Sequence, residues 1–393
     1  MQKILILGAG IYQVPLIKAA KAMGLKTIVV SVEGPYPGIE LADEFFPINT
    51  TDVPAVTKLA ADHSVDAVIT TGTDVSMPAL GAVVDQLGLP GTGYEAALTS
   101  MDKVLMKQAL YATGVKTAEF QVVYSKKEAL AAASKIGLPV MVKAVDSSGS
   151  RGITRVTSFE LLPDAWEQAK ANTRSDAVLV EKWLDGTEFG AQAFVQGSRV
   201  VRVLPHNDTV TPPPNCTPIG HSVPVRFSDE QIKRVEETVI NAIKALGIRD
   251  TVSNVDLMLV GDVPYVIELG ARMGATCLPE NICHYVGGDI YEYQINTALG
   301  NRPEIPNGYS TANAALLLFS RTAGELQEVI VPEEVELHKD LLELVIDVKP
   351  GQKVDAFKVG PDRLGHIIVA AENAELAEAK AMKLAAKIQF KLR

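Results

Sequence analysis

Alternating residues flank Gly261-Asp262 on both sides, and each arm of this would-be hairpin carries one acid. The arms read Asn254-Val-Asp256-Leu-Met-Leu and Tyr265-Val-Ile-Glu268-Leu. Counted outward from Asp262, Asp256 lies six residues before and Glu268 six after. A regular antiparallel pairing therefore sets the two carboxylates opposite each other on one face. Leu257, Leu259, Ile267 and Leu269 then put a core on the other face. Facing like charges destabilise a sheet. A fold tolerates them when a cation lies between, or when they form a solvated edge pair whose register slips by one. Oxygen-only ligands suit Mg²⁺ (or Mn²⁺), which bridges to substrate phosphates.

Other segments have to supply the body around this hairpin. Lys3–Gly8, Lys26–Ser31 and Ala67–Thr71 are apolar strand-like runs, separated by helical spacing over Ile11–Met23 and Val53–His63. That βαβαβ order predicts a parallel sheet whose loops after Gly8, Ser31 and Thr71 share one edge. The pattern breaks at Gly88-Leu-Pro-Gly-Thr-Gly93, and a helix follows over Met101–Ala112. Beyond it, Val140–Val145, Val178–Leu184, Glu188–Val195 and Arg199–Leu204 read as hairpins turned at Asp185-Gly186 and Gln196-Gly197. The Pro-rich Thr209–Asn215 is a loop, Glu230–Leu246 a helix, and an α+β unit ends in a helix over Ala374–Ile388. The fold class is α/β plus α+β, and 393 residues exceed one core.

A net charge of −10 gives no general field for nucleic acid or anionic lipid, so neither partner is expected. No apolar run approaches the length of a membrane span, and the N-terminal run stops at Gly8, too short for a signal peptide. Cys216, Cys277 and Cys283 cannot form a disulfide framework, which suits a reducing, cytoplasmic setting. Cys277, Cys283 and His284 match no zinc spacing and are read as packing.

Three more motifs bear on chemistry. Gly8-Ala-Gly10-Ile-Tyr-Gln13 has two of three dinucleotide-fingerprint glycines. Gln13 replaces the third and no carboxylate clearly caps the second strand, so a tight turn with free amides, able to hold a substrate anion, is the preferred reading. Lys143 precedes Asp146-Ser-Ser148-Gly149-Ser150-Arg-Gly152, which lacks a Walker ending. It reads as a lid over phosphates or a plain hairpin turn. Arg272, four residues after Glu268, suits a bidentate grip on a phosphoryl group or carboxylate, or an ordinary salt bridge to nearby acids.

Taken together, Lys103 in Met101-Asp-Lys-Val-Leu-Met-Lys107, Lys143 in Pro139-Val-Met-Val-Lys143, the Ser/Gly loop, and Val180-Glu-Lys-Trp-Leu-Asp-Gly-Thr-Glu188 resemble the nucleotide-binding half of the ATP-grasp superfamily. Asp347-Val-Lys-Pro-Gly351 and Gly365-His-Ile-Ile-Val369 resemble the C-terminal lobe of its carboxylate–amine, L-amino-acid-ligase-like branch. The resemblance implies a Rossmann-like domain at 1–92, an ATP-grasp domain at 93–305 with a lid near 115–185, and a small lobe at 306–393. It implies that ATP contacts Lys103, Lys143 and the Ser148–Ser150 loop. It implies that Glu181 accepts from the adenine amino group, Lys182, Trp183 and Leu184 form the hinge strand, Glu188 holds the ribose, and Asp256 and Glu268 ligate Mg²⁺. Gly270 stands where the family often has Asn. Ala381-Met-Lys383 echoes a biotinylation tripeptide but sits in a helix pattern.

The implied reaction activates a carboxylate as an acyl phosphate and passes it to an amine, releasing ADP and phosphate, with Lys143 and Arg272 as catalytic groups. Gly10, Thr73, Asp74, His221 and Arg272 are candidate substrate contacts, and His206 and His221 candidate bases or structural histidines. The partners are a small carboxylate and an amine, and family likeness implies a homodimer. The alternatives are a carbamoyl-phosphate-synthase-like or formate-activating enzyme, a non-catalytic nucleotide-binding module, and a nicotinamide oxidoreductase.

Overall fold

The computed structural model describes residues 1–147, 151–211, 217–305 and 311–393. The chain opens with β1 (Lys3–Leu7), α1 (Val14–Ala22), β2 (Lys26–Ser31), β3 (Glu44–Pro47), α2 (Val53–His63), β4 (Ala67–Ile69) and α3 (Met77–Leu87). The four strands form a parallel sheet in the order β3-β2-β1-β4. Their buried runs (Ile4–Leu7, Ile28–Val30) are covered on both faces, as parallel sheets require. Helix α1 starts three residues later than its apolar spacing suggests, because Gln13 is used by the preceding loop. The helix expected over Met101–Ala112 is two helices, α4 (Tyr94–Met101) and α5 (Lys103–Ala112). They meet at Asp102, whose carboxylate accepts from the Val104 and Leu105 amides and so starts α5.

A second, four-stranded sheet holds β5 (Phe120–Val123), β6 (Val140–Ala144), β7 (Ile153–Val156) and β8 (Val178–Lys182) in the order β5-β8-β6-β7. Helices α6 (Lys126–Ile136) and α7 (Leu162–Ala171) cover one face, packing Ala129, Ala133 and Trp166 against Val140, Val142, Val178 and Val180. The alternate residues Lys143 and Glu181 therefore project from the opposite face.

A third sheet of eight strands carries the acidic hairpin. It holds β9 (Thr187–Gln196), β10 (Arg199–Val210), β11 (Pro218–Val223), β12 (Thr251–Val260), β13 (Val263–Gly270), β14 (Asn313–Leu318), β16 (Leu341–Ile346) and β18 (Gly365–Ala370). The order is β13-β12-β9-β10-β11-β14-β18-β16, so strands beyond residue 311 extend the sheet begun at residue 187. One expectation fails here. The turn at Asp185-Gly186 does not join a hairpin, since β8 is paired on both edges by β5 and β6 and the chain crosses to another sheet. The hairpin turned at Gln196-Gly197 does form.

Helix α8 (Asp229–Leu246), capped by Ser228 and Gln231, lays Val235 and Val239 into the same core as Val255, Leu257 and Leu269. Helices α9 (Leu278–Val286) and α10 (Ile290–Ala298) follow the hairpin. A small sheet of β15 (Gly324–Ile330), β17 (Lys353–Val354) and β19 (Gln389–Leu392), with α11 (Glu333–Glu336) and α12 (Ala374–Ala385), closes the chain. No helix among the described residues is long and apolar enough to cross a membrane.

Candidate active site

Asp256 pairs with Glu268 in the β12–β13 ladder, so both carboxylates lie on the sheet face away from α8. The route to that pairing differs from the regular one expected. The turn has two residues, Gly261 and Asp262, and Val260 pairs with Val263. In an unbroken ladder Asp256 would then face Ile267. A bulge after Leu257↔Val266 leaves Ile267 without a partner and brings Glu268 opposite Asp256. Ile267 is accordingly half-exposed, and Val266, fully buried, takes its place in the core.

The pair is electrostatically loaded. Burial, then the neighbouring Glu268 and Asp208 carboxylates, push Asp256 up to about 7. Asn254 donates to Asp256 Oδ1 at 2.9 Å, and Gln192 in turn donates to Asn254 at 2.5 Å. Glu268 accepts from Lys103 at 2.9 Å. Lys103 sits at the first turn of α5, is buried, and also reaches the Ser147 carbonyl at 2.7 Å. Although burial disfavours its charge, Glu268 raises its pKa. Two facing acids with one ammonium beside them fit a divalent cation, whose charge would favour the ionised form of Asp256.

On the opposing sheet Lys143 pairs with Glu181, and Lys107 reaches the same carboxylate at 2.7 Å. All three side chains are buried. Burial opposes Glu181's charge, but Lys143 and Lys107 outweigh it and hold it down to about 2. Two lysines thus share one carboxylate, and burial, with Lys143 beside it, lowers Lys107. A buried excess of positive charge suits a polyanion. Lys107 was not anticipated as a site residue. Glu181, expected to accept from the adenine amino group, has its carboxylate engaged by both lysines. Lys182 is exposed, Trp183 is half-buried beneath the Arg155 guanidinium, and Leu184 follows it at the sheet crossing. Glu188 is exposed and pairs with Met258, on the Asp256 face. Ser148, Gly149 and Ser150 lie outside the described residues.

Arg272 donates to Asp74 at 2.6 Å and is largely buried. Burial works against it, yet Asp74 first, then Asp256 and Glu268, raise its pKa. The loop bearing Thr73 and Asp74 is tied to the strand end through Gly72 N–H to the Met273 carbonyl. Gly10 is different from the open amide expected. Its N–H donates to Gln13 Oε1 at 2.8 Å, while Gln13 donates to the Thr71 carbonyl.

Histidines occupy the next strands of this face. His206 and His221 both place Nδ1 on Asp208 Oδ1, at 3.0 and 2.6 Å. The three ligand groups lie within 4.8 Å of one another. His206 Nε2 is buried without a partner. Its ring lies over Gly190, which pairs with Asp256, and a Cβ on Gly190 would overlap it. Burial is overcome at Asp208 by His206 and His221, which hold it well below the carboxylate range. Asp208 and Gly190 went unnoticed in the sequence, although His206 and Asp208 share one strand face by their spacing of two. Cys277 and Cys283 do not assemble with His284. Cys277 accepts from Arg363, Cys283 from the Ile290 amide, and His284 meets Glu343.

A clamp with Lys143 on one sheet, Lys103 and Lys107 on α5, and facing acids on the other sheet is the arrangement of a nucleotide–metal site. The profile of the family described as carbamoyl-phosphate synthase L chain, ATP binding domain matches residues 102–304. That described as L-amino acid ligase C-terminal domain 2 matches residues 316–393. The structure of a phosphoribosylglycinamide synthetase from Anaerococcus prevotii is similar at TM-score 0.84 with 31% identity, covering 100% of both chains. An L-amino acid ligase from Bacillus licheniformis has the same fold, at TM-score 0.84 and 18% identity, covering 100% of this chain and 99% of that one. A D-alanine–D-alanine ligase of Ralstonia nicotianae is 28% identical over 49% of this chain and 61% of its own length. The chain spans less than two thirds of the length of such curated relatives, 65% and 61% for two of them. The chain belongs to the ATP-grasp superfamily, in its carboxylate–amine ligase branch, whose members are ATP-dependent ligases.

Proposed function

We propose that this chain joins a small carboxylic acid to an amine at the expense of ATP, forming ADP and phosphate. The observation that carries this reading is the facing pair Asp256 and Glu268, set across the clamp from Lys143 and beside Lys103 and Arg272. Lys103 and Lys143 bind the triphosphate of ATP, and the Lys182–Leu184 backbone reads the adenine, since the Glu181 carboxylate is engaged by lysines. Glu188, on the open edge of the face, takes the ribose. Asp256 and Glu268 hold Mg²⁺ or Mn²⁺, which supplies charge neutralisation at the phosphates when bound. Arg272 orients the acid.

In the first step a substrate carboxylate oxygen bonds to the γ-phosphorus, the bond to the β–γ bridging oxygen breaks, and ADP leaves. In the second, the amine nitrogen bonds to the acyl carbon, the acyl–phosphate bond breaks, and phosphate and one proton leave. No protein nucleophile is required. Lys103 and Lys143 are fixed by ion pairs before substrate arrives, so little reorganisation accompanies charge migration.

An amino acid as the carboxylate is favoured by the match to an L-amino acid ligase C-terminal domain. A phosphoribosyl amine as acceptor is the second reading, favoured by 31% identity to a phosphoribosylglycinamide synthetase along the whole chain. The deciding assay is ADP and phosphate release with ATP and Mg²⁺ against amino acids, phosphoribosyl amines, bicarbonate and formate. Release only with an acid–amine pair supports the proposal. Release with bicarbonate or formate alone, or nucleotide binding without turnover, sinks it.

A further inference from the structure

Four residues stand in register across adjacent strands of the eight-stranded sheet. His206 of β10 pairs with Gly190 of β9, Gly190 with Asp256 of β12, and Asp256 with Glu268 of β13. Directly paired residues share a face, so the imidazole flanks Asp256 from the side opposite Glu268. Neighbouring strands lie about 4.8 Å apart, and the ring crosses part of that gap because Gly190 has no side chain. A Cβ on Gly190 would lie 2.5 Å from His206 Nε2, so the outer edge of the ring is the one that leans over the glycine, toward Asp256.

The two ring nitrogens have unequal surroundings. Nδ1 meets Asp208 Oδ1 at 3.0 Å, and Asp208 stays ionised despite its burial because His206 and His221 lie beside it. An ionised carboxylate only accepts, so Nδ1 carries the ring proton and Nε2 of the neutral ring is a lone-pair acceptor. That acceptor belongs to a side chain 1% exposed and has no hydrogen-bond partner. A buried polar atom without a partner is costly, and native structures retain such an atom where function uses it. His221 is not equivalent. Its Nδ1 meets Asp208 at 2.6 Å and its ring also bonds the Ala275 backbone, a second partner that His206 lacks.

Acyl transfer to an amine must dispose of a proton. A nitrogen that has bonded to an acyl carbon is cationic, and it reverts to free amine unless an N–H proton is taken from it. We propose that His206 is the general base of this step, its Nε2 taking one proton from the attacking amine as the nitrogen–carbon bond forms and the acyl–phosphate bond breaks. The imidazolium is countered by Asp208 and passes the proton to the departing phosphate or to water. This rests on the ligase reading above. It assigns Gly190 a reason, since any side chain there would occupy the place of the ring. With Nε2 shut away from solvent, the base is not offered to water, which would hydrolyse the acyl phosphate.

The informative variant is His206→Asn, whose side-chain amide can still donate to Asp208 in place of Nδ1 while nothing stands at Nε2. ADP and product are measured on the full chain with ATP and Mg²⁺, against the amino acids and phosphoribosyl amines named above, and again with excess hydroxylamine as acceptor. Hydroxylamine is weakly basic and gives up its proton unaided. The variant is expected to lose about a hundredfold or more with ordinary amines and less than about tenfold with hydroxylamine. Should His206→Asn not fold, His206→Gln, which fills the length of the ring without a basic nitrogen, is read for the same split. Equal losses with both kinds of acceptor, or no loss with ordinary amines, overturn the proposal alone. No ADP from wild type with any acid and acceptor overturns both it and the ligase reading.

Discussion

Asp256 faces Glu268 across the β12–β13 ladder because Ile267 is left out of the pairing. Measured from the tip at Gly261-Asp262, an unbulged hairpin would send Glu268 to the core face and Ile267 to the acidic one. The bulge inverts this, delivering Glu268 to the site and Leu269 to the core, while Val266 lies opposite Leu257 in either register. A kinked strand and two repelling acids both oppose folding, so the site is held against local preference.

Removing the repulsion should therefore stabilise the protein while silencing it. Asp256 is pushed up to about 7, far above its value of about 4 in an unfolded chain. The folded protein thus binds this proton more tightly than the unfolded chain does. Its stability falls as pH rises from about 4 to about 7. In chelator, Asp256→Asn should raise Tm at pH 8 by a few degrees and leave it nearly unchanged at pH 5. With ATP and Mg²⁺ the same variant should lose roughly a hundredfold or more in ADP formation. Calorimetry at the two pH values, paired with an ADP assay, checks both; equal Tm gains at pH 5 and pH 8 would contradict the repulsion.

The lysine pair on Glu181 predicts an asymmetry. Glu181→Gln leaves Lys107 and Lys143 buried together with no counter-ion and should destabilise by about 3–5 kcal/mol. Lys107→Met leaves the Lys143–Glu181 pair intact, losing the Lys107–Glu181 ion pair and the 2.7 Å hydrogen bond from Lys107 to Thr117, and should cost less, about 1–2 kcal/mol. Urea unfolding of the two variants would refute the shared-carboxylate picture if Lys107→Met proved the worse.

Much of this architecture was legible in the sequence, and the gaps have physical causes. The parallel sheet was visible because β1, β2 and β4 are continuous apolar runs buried on both faces. Strand β3, Glu-Phe-Phe-Pro, is too short to show periodicity, and α3 is blurred by Pro78 and Gly81. The turn at Asp185-Gly186 has the same chemistry whether its flanking strands pair or part. Lys107 follows Lys103 by one helical turn, and nothing local distinguishes a buried lysine from a solvated one. Its burial depends on Glu181, 74 positions away. Asp256 and Glu268 were found with a turn centre half a residue too late, an error that the bulge cancelled. The contact of Asp74 with Arg272 is carried by no pattern, only by the docking of the loop after β4 on the segment after β13.

Gly190 gives a prediction about His206. The imidazole lies over this glycine, across from Asp256, with Nδ1 on Asp208 at 3.0 Å. Gly190→Ala must displace the His206 ring while deleting no ionisable group. We expect a loss of about 1–3 kcal/mol from overpacking. We also expect turnover to fall to the level of His206→Ala, with nucleotide affinity little changed. Normal turnover in Gly190→Ala would show that the ring position is immaterial to the chemistry.

Glu343 in β16 ties α9 to β18, and its contacts predict where acid should weaken this region. Its two oxygens meet His284 and His366, each at 3.0 Å. Burial opposes ionisation, but these hydrogen bonds outweigh it and hold the carboxyl down to about 2, against an unfolded value near 4.3. A depressed carboxyl contributes stability that is complete above its unfolded pKa and lost as pH falls through the folded one. This region should therefore weaken between about pH 4.5 and pH 2, as Glu343 loses the charge that holds His284 and His366 together. Glu343→Gln should be less stable than wild type at pH 6 and equal to it near pH 2. Its acid unfolding should be shallower across that window, measured by tryptophan-independent far-ultraviolet dichroism. An unchanged acid limb in Glu343→Gln would place the acid sensitivity elsewhere, at Asp208 or Glu181, whose carboxyls are also held low by buried basic partners.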